Sequence, residues 1–195
     1  MAGILKVDQV QSDSNLAFAI AGSNVAFMNA TSLQMVGSNV SLAGTNVITN
    51  GKVVTSAQPT GAVLQVVSNT ISTSISTTSG AYVTTGLTAS ITPSSASSKI
   101  LVLVNCASMF QNGGGNQLVI AIFRGATNLH AAAGAFGGQL YSTALIETSM
   151  SMMILDSPAT TSSTTYTVHY AAVSGTASFN QNTGNSYIIL QEIAG

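Results

Sequence analysis

The stretch KILVLVN, residues 99–105, alternates two kinds of side chain along its length. Its even-numbered residues are Ile100, Val102 and Val104, while the odd-numbered set ends in a polar residue, Asn105. Successive side chains of a β-strand point to opposite faces, so this period of two predicts a strand. One polar position on the second face indicates a half-buried antiparallel strand.

The same period recurs at residues 166–171, where Tyr166, Val168 and Tyr170 lie on the face opposite to His169. Gly, Pro, Ser and Asn fill most gaps between such segments, and these residues favour turns. The segments predicted as strands after residue 61 are 62–67, 70–77, 81–85, 87–92, 99–109, 117–124, 145–155, 164–173 and 186–193. Eight or nine strands predict an all-β fold, with a jelly-roll-like β-sandwich in residues 58–195.

Residues 1–57 contain a short unit that recurs three times, as GSNV at 22–25, GSNV at 37–40 and GTNV at 44–47. Gly and Asn tolerate the backbone of a tight turn, and the apolar residues that follow predict short strands. Strands this short bury little surface within one chain. We therefore expect identical chains to intertwine here as a homotrimer. The residues expected to meet at that trimer and capsid interface are Val25, Phe27, Val40, Leu42 and Val47.

A second interpretation makes this N-terminal segment one half of an ordinary sheet in the same domain. The boundary between the two parts is predicted at residues 57/58, within the run AQPTG at 57–61. Proline removes a hydrogen-bond donor and fixes φ, so a strand is not expected to continue through it. The sequence has a helical period only at residues 131–145, where three glycines interrupt it.

Charged side chains are scarce, with four Lys or Arg and five Asp or Glu among 195 residues. An ordinary soluble domain has roughly a quarter of its residues charged. Nucleic-acid binding requires clustered basic residues, so we expect no nucleic-acid partner. No apolar run approaches the roughly 18 residues of a membrane-spanning helix, and no secretory signal pattern opens the chain. We expect neither membrane insertion nor export from the cytoplasm.

No motif places a nucleophile beside a base or two acids close together in sequence. Glu147 and Asp156 are interpreted as solubilising charges at strand edges. Arg124 ends an apolar strand, and we expect it to pair with one of these acids or to contact another subunit. The sequence therefore predicts no catalytic residue and no enzyme.

Metal-binding residue types are equally sparse. His130 and His169 have no nearby acid in sequence, although a threefold axis would bring together three copies of either one. The single cysteine, Cys106, lies in an apolar run and is predicted to be buried. We expect no metal site and no cofactor.

Three segments resemble proteins of tailed bacteriophages. The opening ILKVDQVQSDS at residues 4–14 resembles the start of many of their structural proteins. GLTASITPSS at 86–95 with SKILV at 98–102, and SYIILQEI at 186–193, are similar to β-sandwich domains on fibres and capsid-surface proteins of phages that infect aquatic bacteria. The resemblance implies a homotrimeric structural protein of the virion.

Two positions on the virion are compatible with this resemblance. One is a capsid decoration (cement) protein on the capsid surface, which is assembled in the host cytoplasm and clamps adjacent subunits of the major capsid protein. The alternative is a tail fibre or tail tip protein. A fully extended segment of 57 residues spans at most about 3.3 Å per residue, too little for a fibre shaft. We therefore prefer the decoration protein.

The alternative brings a different function, because a tail protein recognises a host receptor or surface glycan. Amide-rich tips are predicted at residues 112–116 and 180–185, and exposed tyrosines would provide stacking surfaces. The residues predicted to contact such a ligand are Asn112, Asn116, Tyr141 and Asn182. Further stacking candidates are Tyr166, Tyr170 and Tyr187.

Overall fold

The computed structural model describes residues 39–42, 45–49, 52–53, 58–112, 116–131, 136–182 and 184–195. These residues form strands joined by turns, with no α-helix among them. The strands are β1 (Asn39–Leu42), β2 (Thr45–Thr49), β3 (Lys52–Val53), β4 (Val63–Ile71), β5 (Ile75–Thr77), β6 (Val83–Ile91), β7 (Lys99–Gln111), β8 (Asn116–Arg124), β9 (Thr127–Asn128), β10 (Gly138–Ser142), β11 (Ile146–Asp156), β12 (Thr164–Ser174), β13 (Ala177–Phe179) and β14 (Ser186–Ile193).

The first three strands form a small antiparallel sheet in the order β1-β2-β3. Val40 and Leu42 lie in β1, and Val47 lies in β2, so strands occur where the second and third repeat units predict them. Val25 and Phe27 lie outside the described residues. Intertwining of this segment between copies stays a prediction, as does the boundary at residues 57/58.

A larger antiparallel sheet contains β4, β5, β7, β11, β13 and β14. The long strand β7 pairs with β11 along one edge and with β14 and then β13 along the other. β4 pairs with β14, and β5 pairs with β13. β4 and β5 thus act as two segments of one outer strand, and β14 and β13 as two segments of the strand beside it. The larger sheet is therefore four strands wide.

A smaller antiparallel sheet has the order β10-β8-β12-β6, with β9 also paired to β8. β12 is central, since Tyr170 lies opposite Ile120 of β8 on one side and Val83 of β6 on the other. β9 and β10 follow one another along the free edge of β8. This sheet is also four strands wide.

The pairing of the strands shows how the chain is folded. The first strands of the domain, β4 and β5, pair with the last, β14 and β13. Moving inward along the chain, β6 pairs with β12, and β7 pairs with β11. The innermost pair is β8 with β9 and β10. The domain is thus one long antiparallel hairpin, rolled so that alternate pairs fall in opposite sheets. This is the arrangement of a jelly roll, and it confirms the predicted all-β sandwich.

The core lies between the two sheets and follows the period of two. Burial alternates along β7, β12 and β14, with one face of each strand buried against the opposite sheet. The largest fully buried side chains include Tyr166, Tyr170 and Phe179. Ile100, Val102 and Val104 lie in this core, as the alternation predicts.

Three departures from the sequence prediction have local causes. The two strands predicted at 81–85 and 87–92 form the single strand β6, because Gly86 takes φ of +80° and lets β6 bulge without ending. The helical period at residues 131–145 is misleading, since Gly138–Ser142 pairs with the edge of β8 as β10. β13 was not predicted, because only its pairing with β5 and β7 makes Ala177–Phe179 a strand.

Replacing a core leucine should test this packing. Leu190 is fully buried, so Leu190→Ala is expected to lower the free energy of unfolding by about 2–5 kcal/mol through lost contacts and a residual cavity. Leu145 is 67% exposed, and the same substitution there should cost less than about 0.5 kcal/mol. Urea unfolding of both variants measures the difference, and equal losses would contradict the assigned core.

Candidate functional site

The outer surface of the larger sheet carries apolar side chains on all four of its strands. Residues on alternate positions of β4, β7, β11 and β14 face away from the core, and many of them carry hydrocarbon or thioether side chains. We call this surface the outer apolar face, and its members are Val66, Leu101, Leu103, Met153, Leu155, Tyr187 and Ile189.

The strand register brings these side chains together in rows. Met153 lies opposite Leu103, which lies opposite Ile189. In the next row, Leu155 lies opposite Leu101. The fractional exposures of Met153, Leu155 and Val66 are 71%, 53% and 57%, so a large part of this face meets solvent in the protomer.

A shallow groove of about 380 Å³ crosses the outer apolar face between Leu103, Met153, Tyr187 and Ile189. Its polar border is formed by Asn105, whose Nδ2 donates a hydrogen bond to Ser151 Oγ at 2.8 Å. The groove is therefore open and mostly apolar, with amide and hydroxyl groups at one side.

Charges occur only at the ends of this face. Lys99 lies at the start of β7, and Glu147 lies near the start of β11. The Glu147 carboxylate is occupied, since it accepts hydrogen bonds from Ser108 Oγ and from Asn182 Nδ2, each at 2.5 Å. Between these two positions, the outward side chains of β4, β7, β11 and β14 are uncharged.

The outer surface of the smaller sheet is different in character. Hydroxyl groups form cross-strand pairs, with Thr88 bonded to Thr167 at 3.0 Å and Ser90 to Thr165 at 2.7 Å. Part of the remaining surface is covered by stacked rings, because Phe123 packs against both Tyr82 and His169, with ring centroids 5.3 and 4.2 Å apart. Two large side chains of this sheet stay exposed, Tyr141 at 64% and Val173 at 54%.

The predicted recognition residues Asn112, Asn116 and Tyr141 lie at one end of the sandwich. Asn116 Nδ2 donates to Asn112 Oδ1 at 2.6 Å, and the same oxygen accepts the backbone N–H of Thr176 at 3.3 Å. These amides therefore hold neighbouring loops together. Tyr141 lies opposite Gln117 at the edge of the smaller sheet and is 64% exposed.

Asn182 is held by a different set of residues. Its loop folds back towards the larger sheet, where its side chain binds Glu147 and its backbone N–H donates to Ser108 Oγ at 3.3 Å. The predicted tip at 180–185 also begins with a buried residue, Asn180, at φ of +54°. Asn180 Nδ2 donates to Ile71 O, and its Oδ1 accepts from Ser186 Oγ, so it fixes the loop and is not available to a ligand.

The prediction that Tyr166 and Tyr170 serve as exposed stacking surfaces is wrong. Both are buried in the core, because the period of two points them between the sheets. Burial raises the pKa of Tyr166 above its usual range, and its hydrogen bond to Asp156 raises it further. Tyr141 and Tyr187 are the exposed members of the predicted group.

Arg124 forms an ion pair with Asp156, at 2.8 Å, which confirms one of its predicted partners. Asp156 also accepts a hydrogen bond from the Tyr166 hydroxyl at 2.7 Å. The interpretation of Asp156 as a solubilising edge charge is therefore wrong, since its side chain is only 10% exposed and binds two partners. This cluster ties the ends of β8, β11 and β12 together.

A second buried carboxylate, Glu192, was not singled out from the sequence. Its Oε1 accepts the backbone N–H and the hydroxyl of Ser94, both at 2.7 Å, and its Oε2 accepts Gln65 Nε2 at 2.6 Å. These bonds attach the loop before β7 to β4 and β14. The signal was available, because Glu192 continues the buried alternate positions Ile188 and Leu190.

The histidines and the cysteine do not form a reactive group. Burial lowers the pKa of both His130 and His169. Cys106 is buried, as predicted, and burial raises the pKa of its thiol to about 12. In the described ranges, no three His, Cys, Asp or Glu side chains are grouped so that they could hold a metal ion.

The described residues contain no helix that is long and apolar enough to cross a membrane. Comparison with protein-family models and with curated protein sequences gave no match. The resemblance to phage structural proteins therefore remains an expectation from the sequence, and the outer apolar face is the strongest candidate for a functional surface.

Glu192→Gln tests the buried carboxylate. Burial acts to raise the pKa of Glu192, but hydrogen bonds from Ser94 and Gln65 outweigh it and hold the pKa below its usual 4.5. A depressed pKa stabilises the fold above pH 4.5, and this contribution is lost as the pH falls through the folded-state value. The variant should be about 1–3 kcal/mol less stable at pH 7.

The stability difference between wild type and Glu192→Gln should then narrow as the pH is lowered from 4.5 towards 2. Urea unfolding across this range measures it. Glu147→Gln is a matched control, because Glu147 also accepts two hydrogen bonds but is exposed near the start of β11. A stability difference between wild type and Glu192→Gln that stays constant across this pH range would contradict an ionised Glu192 in the folded protein.

Proposed function

We propose that this protein is a structural protein of a tailed-phage virion, and specifically a homotrimeric capsid decoration protein. In this function its partners are copies of itself and the major capsid protein. The observation that carries the proposal is the outer apolar face, which a jelly roll of this size does not need for its own core. A protein with such a surface is suited to permanent assembly.

The scarcity of charge supports the same function. Removing water from methyl and amide groups costs less free energy than removing it from ions. Apolar contact contributes roughly 25 cal/mol per Å², so about 1,000 Å² per copy supplies a large driving force even after the cost of association. A surface of Ser, Thr, Asn and apolar residues can thus be buried extensively on a shell.

The two ends of the sandwich suit different roles. The jelly roll begins with β4 at the end that also carries Lys99 and the Arg124–Asp156 pair. Asn112, Asn116 and Tyr141 lie at the opposite end. In the proposed function, residues 1–57 intertwine among three copies and grip neighbouring capsid subunits, while the amide-rich end points away from the shell.

A second candidate function is recognition of a host glycan by a tail fibre or tail tip protein. The observation that favours it is Tyr141, an exposed ring beside the amide side chains of Gln117 and Gln139, which bond to each other at 2.8 Å. An aromatic ring flanked by amides offers stacking and hydrogen bonds to a sugar.

Deleting residues 1–57 tests whether this segment is needed for capsid binding but not for folding of the jelly roll. The jelly roll closes its own core, so we expect the truncated chain to fold and to lose binding to phage capsids. Cosedimentation with capsids measures binding, circular dichroism of the truncated chain checks the fold, and the full chain is the control. Capsid occupancy equal to that of the full chain would refute the clamp.

The number of copies per particle distinguishes decoration from a tail position. We expect hundreds of copies distributed over the shell, measured by labelling particles for electron microscopy. A few copies at a single vertex would favour the tail protein instead. In that case, Tyr141→Ala should abolish glycan binding on an array, while Tyr187→Ala should leave it unchanged.

A further inference from the structure

Three sulfur-containing side chains lie together on the core side of the larger sheet. Met150 and Met152 occupy alternate positions of β11, so their side chains share one face of that strand. Met152 is only 6% exposed, and Met150 packs against the core. Cys106, which is fully buried in β7, lies opposite Met150. Two thioethers and a thiol are therefore grouped near the β11 edge of the sandwich.

His130 approaches these sulfur atoms from the smaller sheet. It follows β9, and its backbone N–H donates a hydrogen bond to Asn128 Oδ1 at 2.9 Å. A Cβ atom built on Gly137 would lie 2.6 Å from His130 Nε2 and 2.8 Å from Met152 Sδ, so the nitrogen and the sulfur converge on one point. The ligands of a metal ion must converge in this way, since zinc, for example, binds imidazole nitrogen at about 2.0–2.1 Å and sulfur at about 2.3 Å.

Two glycines leave room for these groups. A Cβ atom on Gly138 would lie 2.9 Å from Met150 Cε, and one on Gly137 would meet both the imidazole and Met152 Sδ. These distances are shorter than ordinary contacts of a Cβ atom, so a larger residue at either position would displace the neighbouring side chains. The imidazole and both thioethers therefore end beside two consecutive glycines.

The imidazole nitrogen lacks a conventional partner. His130 Nε2 is buried, and none of the described residues forms a hydrogen bond with it. Buried side-chain nitrogens are normally hydrogen-bonded. The sulfur of Met152 cannot donate a hydrogen bond and is only a weak acceptor. Imidazole nitrogen and thioether sulfur are both metal ligands, however, so one metal ion would bind both atoms.

The types of ligand select the ion. Thioether sulfur is a soft ligand that favours Cu(I), and imidazole also binds copper, whereas Ca²⁺ and Mg²⁺ require oxygen ligands. The carboxylates of the described residues, Glu147, Asp156 and Glu192, are bonded to other side chains. A divalent ion would receive no counter-charge from them, and the free-energy cost of burying an ion rises with its charge. A soft monovalent cation therefore fits this group best.

We propose that His130, Met150 and Met152 bind Cu(I), with His130 Nε2 and the two Sδ atoms as its ligands. The bound ion connects β11 of the larger sheet to the segment after β9 of the smaller sheet. It stabilises the folded protein, because the unfolded chain does not assemble this site. The inference goes beyond the proposed function and does not depend on it. It also departs from the expectation of no metal site, which considered histidine, cysteine and acids but not methionine.

Two neighbouring methionines on opposite faces of β11 provide matched variants. Met152→Leu removes a ligand and keeps an apolar side chain of similar volume in the core, while Met153→Leu makes the same change on the outer apolar face. Full-length protein is titrated with Cu(I) under argon, in competition with a chromogenic Cu(I) chelator. We expect Met152→Leu to weaken Cu(I) binding by at least about 100-fold, since even changes around metal ligands cost about 10–100-fold. Met153→Leu should bind Cu(I) as the wild type does.

NMR of the methionine methyl groups locates the ion among the seven methionines of the chain. One equivalent of Cu(I) should shift the methyl signals of Met150 and Met152, which single Met→Leu variants assign, and should leave the Met153 signal in place. His130→Gln should reduce both shifts. Methyl signals of Met150 and Met152 that stay unchanged in wild-type protein with excess Cu(I) would overturn the inference.

Cys106→Ala distinguishes this site from binding by the thiol, which is itself a soft ligand next to Met150. We expect this variant to retain Cu(I) binding. Binding that is lost in Cys106→Ala but retained in Met152→Leu would show a thiol site and overturn the inference.

Thermal unfolding gives a readout of the connection between the sheets. Cu(I) should raise Tm of wild type and of Met153→Leu but not of Met152→Leu. Circular dichroism and Tm without metal check that each variant folds. Equal increases of Tm in Met152→Leu and Met153→Leu would contradict the assigned ligands.

Discussion

Apolar side chains on both faces of β7 are the constraint on which the structure depends. Ile100, Val102 and Val104 enter the core, while Leu101 and Leu103 face outward on the same strand. Folding a single chain into a sandwich covers only one of these faces. The rolled hairpin buries the first set by placing the smaller sheet over β7, while Leu101 and Leu103 stay half-buried on the outer apolar face.

Buried polar groups hold this arrangement in place at one end, beside the start of β7. Glu192 connects the loop before β7 to β4 and β14, and Asp156 connects Arg124 to Tyr166. An ionised carboxylate inside a protein is tolerated only when its oxygens are hydrogen-bonded, so each acid fixes the positions of its partners. Glu192 and Asp156 therefore serve the fold, although the chain has only nine charged residues.

Strand positions were predictable where the period of two was long and uninterrupted, as in residues 99–109 and 186–193. β10 and β13 were missed because they are short and become strands only by pairing with β8 and β7. The alternation predicts that Tyr166 and Tyr170 share one side of their strand, opposite to His169. Their side of the strand was visible in the sequence, but which side faced the core was not.

The sequence by itself determined the all-β class, the strands of strongest alternation and the lack of charge, because these are local properties of neighbouring residues. Only the tertiary structure decided that Leu103, Met153 and Ile189 form one row, that Glu192 is buried, and that Asn112 and Asn116 bond to each other. Each of these facts depends on residues far apart in the chain. These residues are brought together by strand register and by the placement of alternate hairpin pairs in opposite sheets. Neither property is encoded in any single segment.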